Sequence, residues 1–182
     1  MALAAAGKEA AAAAFSSGKK GSDLLSFIGS MEVKPTGAGL LACILEDSAR
    51  GPNPRVWLSN AEYGPALASL LKEQDVKLQV LALLEVERFC GEKDFPMYSP
   101  GGGKKDLNLI EVVFQAMLEN EFADPDAFNA WADEEKLATK YRNRALIKTV
   151  GFMTWLNEPE EPDSDEEEED IEVDAVRATV PY

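Results

Sequence analysis

From Ser22 to about Asn157 the apolar positions recur three and four residues apart, and no stretch alternates apolar with polar long enough to make a convincing strand. That pattern predicts an all-α domain. Ser22 and Asp23 cap a first helix over "LLSFIG", and "AGLLACILEDSA" forms a second that must stop before Gly51, Pro52 and Pro54. Trp57 then falls in a connection. Asn60 caps "AEYGPALASLLKEQ", where Gly64 and Pro65 split or kink the first turns, and Asp75 caps "VKLQVLALLEVERFC" ahead of Gly91. Val76, Val80, Leu81, Leu83, Leu84, Val86 and Phe89 leave this helix without a wet face, so it is expected at the centre of the fold.

Residues 91–105, "GEKDFPMYSPGGGKK", read as a Pro/Gly-rich loop before a helix from Asp106 with Leu107, Ile110, Val113, Phe114, Met117 and Leu118 on one stripe. Asp124 followed by Pro125 starts a short helix over "PDAFNAW", because the carboxylate accepts from free amides while Pro occupies the first turn without losing a hydrogen bond. A final helix from about Glu135 to Asn157 carries Leu137, Tyr141, Leu146, Val150, Phe152, Met153 and Leu156, and Pro159 ends it. About seven helices with short links suit a HEAT-like stack of antiparallel helical hairpins. The chain then divides into an Ala-rich leader at 1–21, partly helical or disordered, a folded unit at 22–157 and a disordered tail at 158–182.

Charge sharpens this division. The chain has 182 residues, enough for one core, and a formal net charge of −15. Residues 158–182 hold twelve carboxylates against a single Arg, so the body before them is close to neutral. An acid block of that density repels phosphate, which speaks against direct nucleic-acid or anionic-membrane binding through the tail and for Lys/Arg-rich protein partners. The leader's apolar run is broken at Gly7, Lys8 and Glu9, and no stretch reaches the length of a membrane span. Cys43 and Cys90 lie in apolar surroundings and read as reduced thiols of a cytoplasmic protein.

The absence of histidine removes His general bases, Cys-His dyads, Ser-His-Asp triads and His-bearing metal sites together. "PGGGKKD" lacks the Ser or Thr after Lys that would hold magnesium and follows no strand, so it reads as a solvated interhelical loop. Two distant cysteines cannot complete a zinc site alone. No motif implies a cofactor, and the chain is read as a non-enzyme.

Two segments place aromatic residues beside carboxylates, each around a Trp: "FQAMLENEFADPDAFNAWADEE" with Trp131 and "VGFMTWLNEPEEPDSDEEEED" with Trp155. The first matches an apolar helix, then acids, then Asp-Ala-Phe and a Trp three positions later, through Phe114, Leu118, Glu119, Glu121, Asp126, Ala127, Phe128 and Trp131. The second supplies Phe152, Trp155, Leu156 and the acids after them. This pairing resembles the W-two, or two-tryptophan, domain that closes initiation factor 4 gamma, initiation factor 5 and the epsilon subunit of the factor 2 exchange factor. Leu118 stands where members often have Tyr, and Pro159 interrupts where others continue in helix.

The resemblance implies a HEAT-like fold and a docking module of translation initiation. Its partners would be the Lys-rich segment of the initiation factor 2 beta subunit or the basic region of a factor-associated kinase, met by a monomer within a larger assembly. Glu119, Glu121, Asp124 and Asp126 around one interhelical turn, Asp133, Glu134 and Glu135 around the next, and Glu158, Glu160 and Glu161 after the last helix are the expected partner-binding acids. Phe128, Trp131, Phe152 and Trp155 are expected as structural aromatics in the core. Ser164, followed by a run of acids, is a candidate phosphosite for an acidophilic casein-kinase-type enzyme, where phosphate would add about −1.5 to −2 charges. The alternative is a generic acidic-tailed adaptor or chaperone for basic proteins such as histones, which needs only the tail.

Overall fold

The computed structural model of the chain describes residues 2–49, 51–72, 74–102, 104–133 and 139–158. It is all-α apart from one small hairpin. The elements run α1 (Ala2–Ser16), α2 (Gly21–Ser30), α3 (Gly37–Glu46), α4 (Pro54–Trp57), α5 (Gly64–Leu71) and α6 (Val76–Glu92), then β1 (Met97–Tyr98) and β2 (Leu107–Asn108). After these come α7 (Leu109–Glu119), α8 (Pro125–Asp133), α9 (Arg142–Lys148) and α10 (Val150–Leu156). The helices stack as HEAT-like hairpins, α3 against α1 and α6, α2 against α5, and α6 against α7, α8 and α9. Among the described residues no helix is long and apolar enough to cross a membrane.

α6 is the central helix that its pattern predicts, except that Leu81, expected inside, and Leu78 are exposed and give it a wet side. Asp75 caps it by accepting from the Lys77 amide, and Gln79, Val80, Ala82, Leu83, Val86, Glu87, Phe89 and Cys90 are buried between the layers. Gly91 sits under Tyr141, where a Cβ would lie 2.2 Å from the ring, so the α6–α9 contact needs a residue without a side chain. Thr36 caps α3 by accepting from the Gly39 amide.

Four expectations are corrected. The Ala-rich segment is no disordered leader: Ala2–Ser16 is α1, and Ala10, Ala11 and Ala14 are buried as it packs on α3. Trp57 is not in a connection but closes the short helix α4 and is buried. Asn60 caps nothing; α5 begins at Gly64, whose missing Cβ lets the chain pass 2.6 Å from where it would meet the Ser59 carbonyl. The expected single helix to Asn157 breaks at buried Thr149, whose hydroxyl donates to the Ala145 carbonyl at 2.9 Å, a back-bond that bends helices. The Pro/Gly-rich loop also holds a two-residue antiparallel ladder, Met97 opposite Asn108 and Tyr98 opposite Leu107. The expected tail lies outside the described residues from 159 onward.

Candidate functional site

The two Trp-containing segments converge on one aromatic cluster. Phe114 of α7 stands at its centre, with ring centroids 5.3 Å from Phe128, 4.9 Å from Trp131 and 5.9 Å from Phe152, all edge-on. Phe128 and Phe152 close the ring of contacts at 5.0 Å. Apolar burial and edge-to-face quadrupole attraction therefore tie α7, α8 and α10 together. Phe128, Trp131 and Phe152 are buried.

Beneath the cluster lies a polar knot. Glu87 of α6 is fully buried, accepts from Trp131 Nε1 at 2.8 Å and from the Thr139 hydroxyl, and faces Arg142 at 3.5 Å. Arg142 donates to the Trp131 carbonyl and lies over the Trp131 ring, 4.9 Å from its centroid. The knot holds α9 to α6 and α8. Sequence reading missed Glu87, Gln79 and Arg142; the available signal was that Gln79 and Glu87 fall in helical register with Leu83, Val86 and Cys90 of α6.

The expected acids separate into three groups. Glu119 is engaged by Arg55 of α4 in a two-point pair, at 3.0 Å and 2.7 Å, and that guanidinium holds its carboxyl below the usual carboxylate range. Glu121, in the left-handed region at φ +57°, pairs with Lys72. Asp124 accepts from Gln79 Nε2 at 3.1 Å while its amide donates to Gln79 Oε1 at 3.0 Å. These three acids bind the α7–α8 turn to the rest of the solenoid. Glu134, Glu135, Glu160, Glu161 and Ser164 lie outside the described residues.

Asp126, Asp133 and Glu158 form the remaining group. Asp126, Asn129 and Asp133 are three and four residues apart on α8 and so share one face, and both acids are exposed. Asn157, in the residue after α10, donates to Asn129 Oδ1 at 3.1 Å and to the Met153 carbonyl at 2.9 Å. This contact lays the end of α10 on that face, so Glu158 emerges beside it. None of the three makes an ion pair among the described residues.

Trp155 requires the largest correction. Expected in the core, it is 56% exposed, touching Phe152 at 6.0 Å with one edge while the rest faces solvent. The cause is geometric: Phe152 uses the inward position of a helix only seven residues long, and Trp155, three residues on, keeps only an edge against it. The result is an open indole three residues before Glu158, which makes no ion pair among the described residues, a combination that suits the charged head and the apolar stem of a Lys or Arg.

Among the described residues no cluster of carboxylates and thiols could hold a metal ion, and Cys43 and Cys90 are free thiols. Comparison with protein families finds that the model described as W2: eIF4-gamma/eIF5/eIF2-epsilon matches residues 78–168, half of the chain. The match contains the first aromatic and acidic segment, all but the last two residues of the second, and the whole of the cluster above. No curated protein matches the chain.

Proposed function

The chain belongs to the W2 family of eIF4-gamma, eIF5 and eIF2-epsilon, the protein-interaction module of translation initiation factors and not a catalytic family, and from that premise we propose that it docks Lys/Arg-rich partner segments at the α8–α10 end of its solenoid. Asp126, Asp133 and Glu158 supply the charge there and Trp155 the apolar platform. The observation that carries this reading is the Asn157–Asn129 hydrogen bond at 3.1 Å, which joins the two segments into one surface. The partner class is the Lys-rich segment of the initiation factor 2 beta subunit or the basic region of a factor-associated kinase, met in the cytoplasm. Glu160, Glu161 and the acids after them extend the surface along the partner.

Glu119, Glu121 and Asp124 take an indirect part in this reading. They are held by Arg55, Lys72 and Gln79, and their role is to fix the turn from which α8 departs. Each exposed acid–Lys pair with the partner contributes below about 1 kcal/mol, so binding depends on several at once and weakens with salt.

The test is fluorescence anisotropy of a labelled Lys-rich peptide against the full chain and its Asp126→Lys/Asp133→Lys variant. Both residues are exposed, so helicity should be unchanged, while affinity should drop at least about tenfold as two attractive contacts become repulsive. Equal affinity would mean that the tail alone binds, as in a generic acidic adaptor or chaperone for basic proteins.

A further inference from the structure

The stretch between the polar knot and the acid block is unusual in charge. From Thr139 to Asn157 the chain carries four cations and no carboxylate, immediately before a segment that is almost purely acidic. Arg142 is buried in the knot, and Arg144 is held by Asp94 at 2.8 Å over the Phe95 ring. Lys148, at the end of α9, makes no ion pair among the described residues. Its carbonyl accepts from Asn108 Nδ2 at 3.2 Å, which fixes the hairpin against the α9–α10 joint. Lys104 and Lys105 lead into the same hairpin and are exposed and unpaired among the described residues.

Three exposed apolar side chains surround this point. Ile147 is 72% exposed and Val150 is 65% exposed, the two highest values among the described large apolar residues. They are three apart across a joint that keeps helical bonding, Thr149 amide to Ala145 carbonyl at 3.0 Å and Met153 amide to Thr149 carbonyl at 2.9 Å, so they share a face. Met97, 52% exposed, lies opposite Asn108 in the ladder, on the side that meets α9. Of the nearby acids, Asp94 is held by Arg144, while Glu111, which accepts from Asn108 Nδ2 at 3.2 Å, and exposed Asp106 make no ion pair among the described residues and offset part of the charge of the three lysines. The patch is apolar with a net basic rim, opposite in sign to the α8–α10 surface.

We propose that this patch is the docking site of the chain's own residues 163–176. That segment carries nine carboxylates and no cation, and its end alternates Ile171 and Val173 with Glu172 and Asp174, so it offers both the charge and the side chains that the patch lacks. The reach is ample. Eight residues separate Val150 from Glu158, about 12 Å along a helix, whereas the twelve residues from 159 to 170 can span up to about 40 Å. A return along the outside of α10 brings Ile171 to Ile147 and Val150. The docked segment then occupies acids that would otherwise reach toward a basic partner, giving the protein an internal competitor. This inference does not depend on which basic partner is bound.

Carbodiimide cross-linking of the intact chain at low concentration, followed by peptide mapping, tests it. Within single chains, links from Lys104, Lys105 and Lys148 to residues 163–174 should exceed links from Lys19 and Lys77 by about tenfold and collapse near 1 M salt, where the Debye length is about 3 Å. Ile147→Asp, on an exposed position, and Ile171→Asp/Val173→Asp, in the docking segment, should each reduce those links severalfold. Links spread evenly over all lysines, links found only in covalent dimers, or links undiminished in both variants would overturn the proposal.

Discussion

Glu87 shows how one carboxylate can be buried without being a site. Its oxygens are filled by Trp131, Thr139 and Arg142, and removing its charge strands Arg142, two of whose nitrogens already lack a hydrogen bond. Breaking a buried pair from one side costs about 3–5 kcal/mol, so Glu87→Ala should lower stability by that amount in urea unfolding. Trp131→Ala should cost a similar roughly 3–5 kcal/mol. Trp155→Ala should stay below about 1 kcal/mol, because most of the ring is already in water. The two tryptophans of the paired segments therefore differ in kind, one structural and one available for contact. Glu119 gives a pH prediction of known sign. Arg55 depresses its carboxyl, so the pair adds stability above the unfolded carboxylate value and loses it as pH falls through the folded one. Half-exposed, the pair is worth under about 1 kcal/mol. Arg55→Ala should lower the urea midpoint slightly at neutral pH and not at all at strongly acid pH.

At the scale of elements, legibility followed the contrast between neighbours. α6 and its cap at Asp75 could be read directly, because a long run of branched apolar residues between a carboxylate and a glycine has few other foldings. α1 could not, since alanine gives a helix little contrast between its faces. What makes it pack is small size: a Cβ on Gly39 would lie 3.2 Å from the Ala11 Cβ, so the α1–α3 backbones approach closely. Ala11→Leu should then overpack that contact by about 1–3 kcal/mol, while Ala12→Leu on the exposed side should be near neutral, both read from thermal melts. The break at Thr149 was equally hidden, because apolar spacing continues through it and the hydroxyl back-bond leaves no periodic mark. The helical spacing of Phe152 and Trp155 suggests two core rings, but spacing alone does not tell an inward ring from one at the margin of a seven-residue helix. The ten expected partner-binding acids were found by composition, but composition cannot say which carboxylates a solenoid uses on itself. Arg55 and Lys72 lie far from Glu119 and Glu121 in sequence, and only the stacking of α4 and α5 beside α7 and α8 reveals the pairs.

Over the whole molecule, the charges are arranged in opposition. The α8–α10 end presents Asp126, Asp133, Glu158 and the open Trp155, and the hairpin side of the α9–α10 joint presents Lys104, Lys105 and Lys148. If the first takes a basic partner and the second the acid block, as proposed, both interactions should weaken together as salt rises. The three tryptophans provide the most direct probe of the docking surface. Trp57 and Trp131 are at most 1% exposed and Trp155 is 56% exposed, so quenching by acrylamide, which is uncharged, should report almost entirely on Trp155. Acrylamide quenching of the full chain, with and without a saturating Lys-rich peptide, is therefore the decisive measurement. Bound peptide should remove most of the quenchable emission; peptide binding that leaves the quenching unchanged would contradict docking at Trp155.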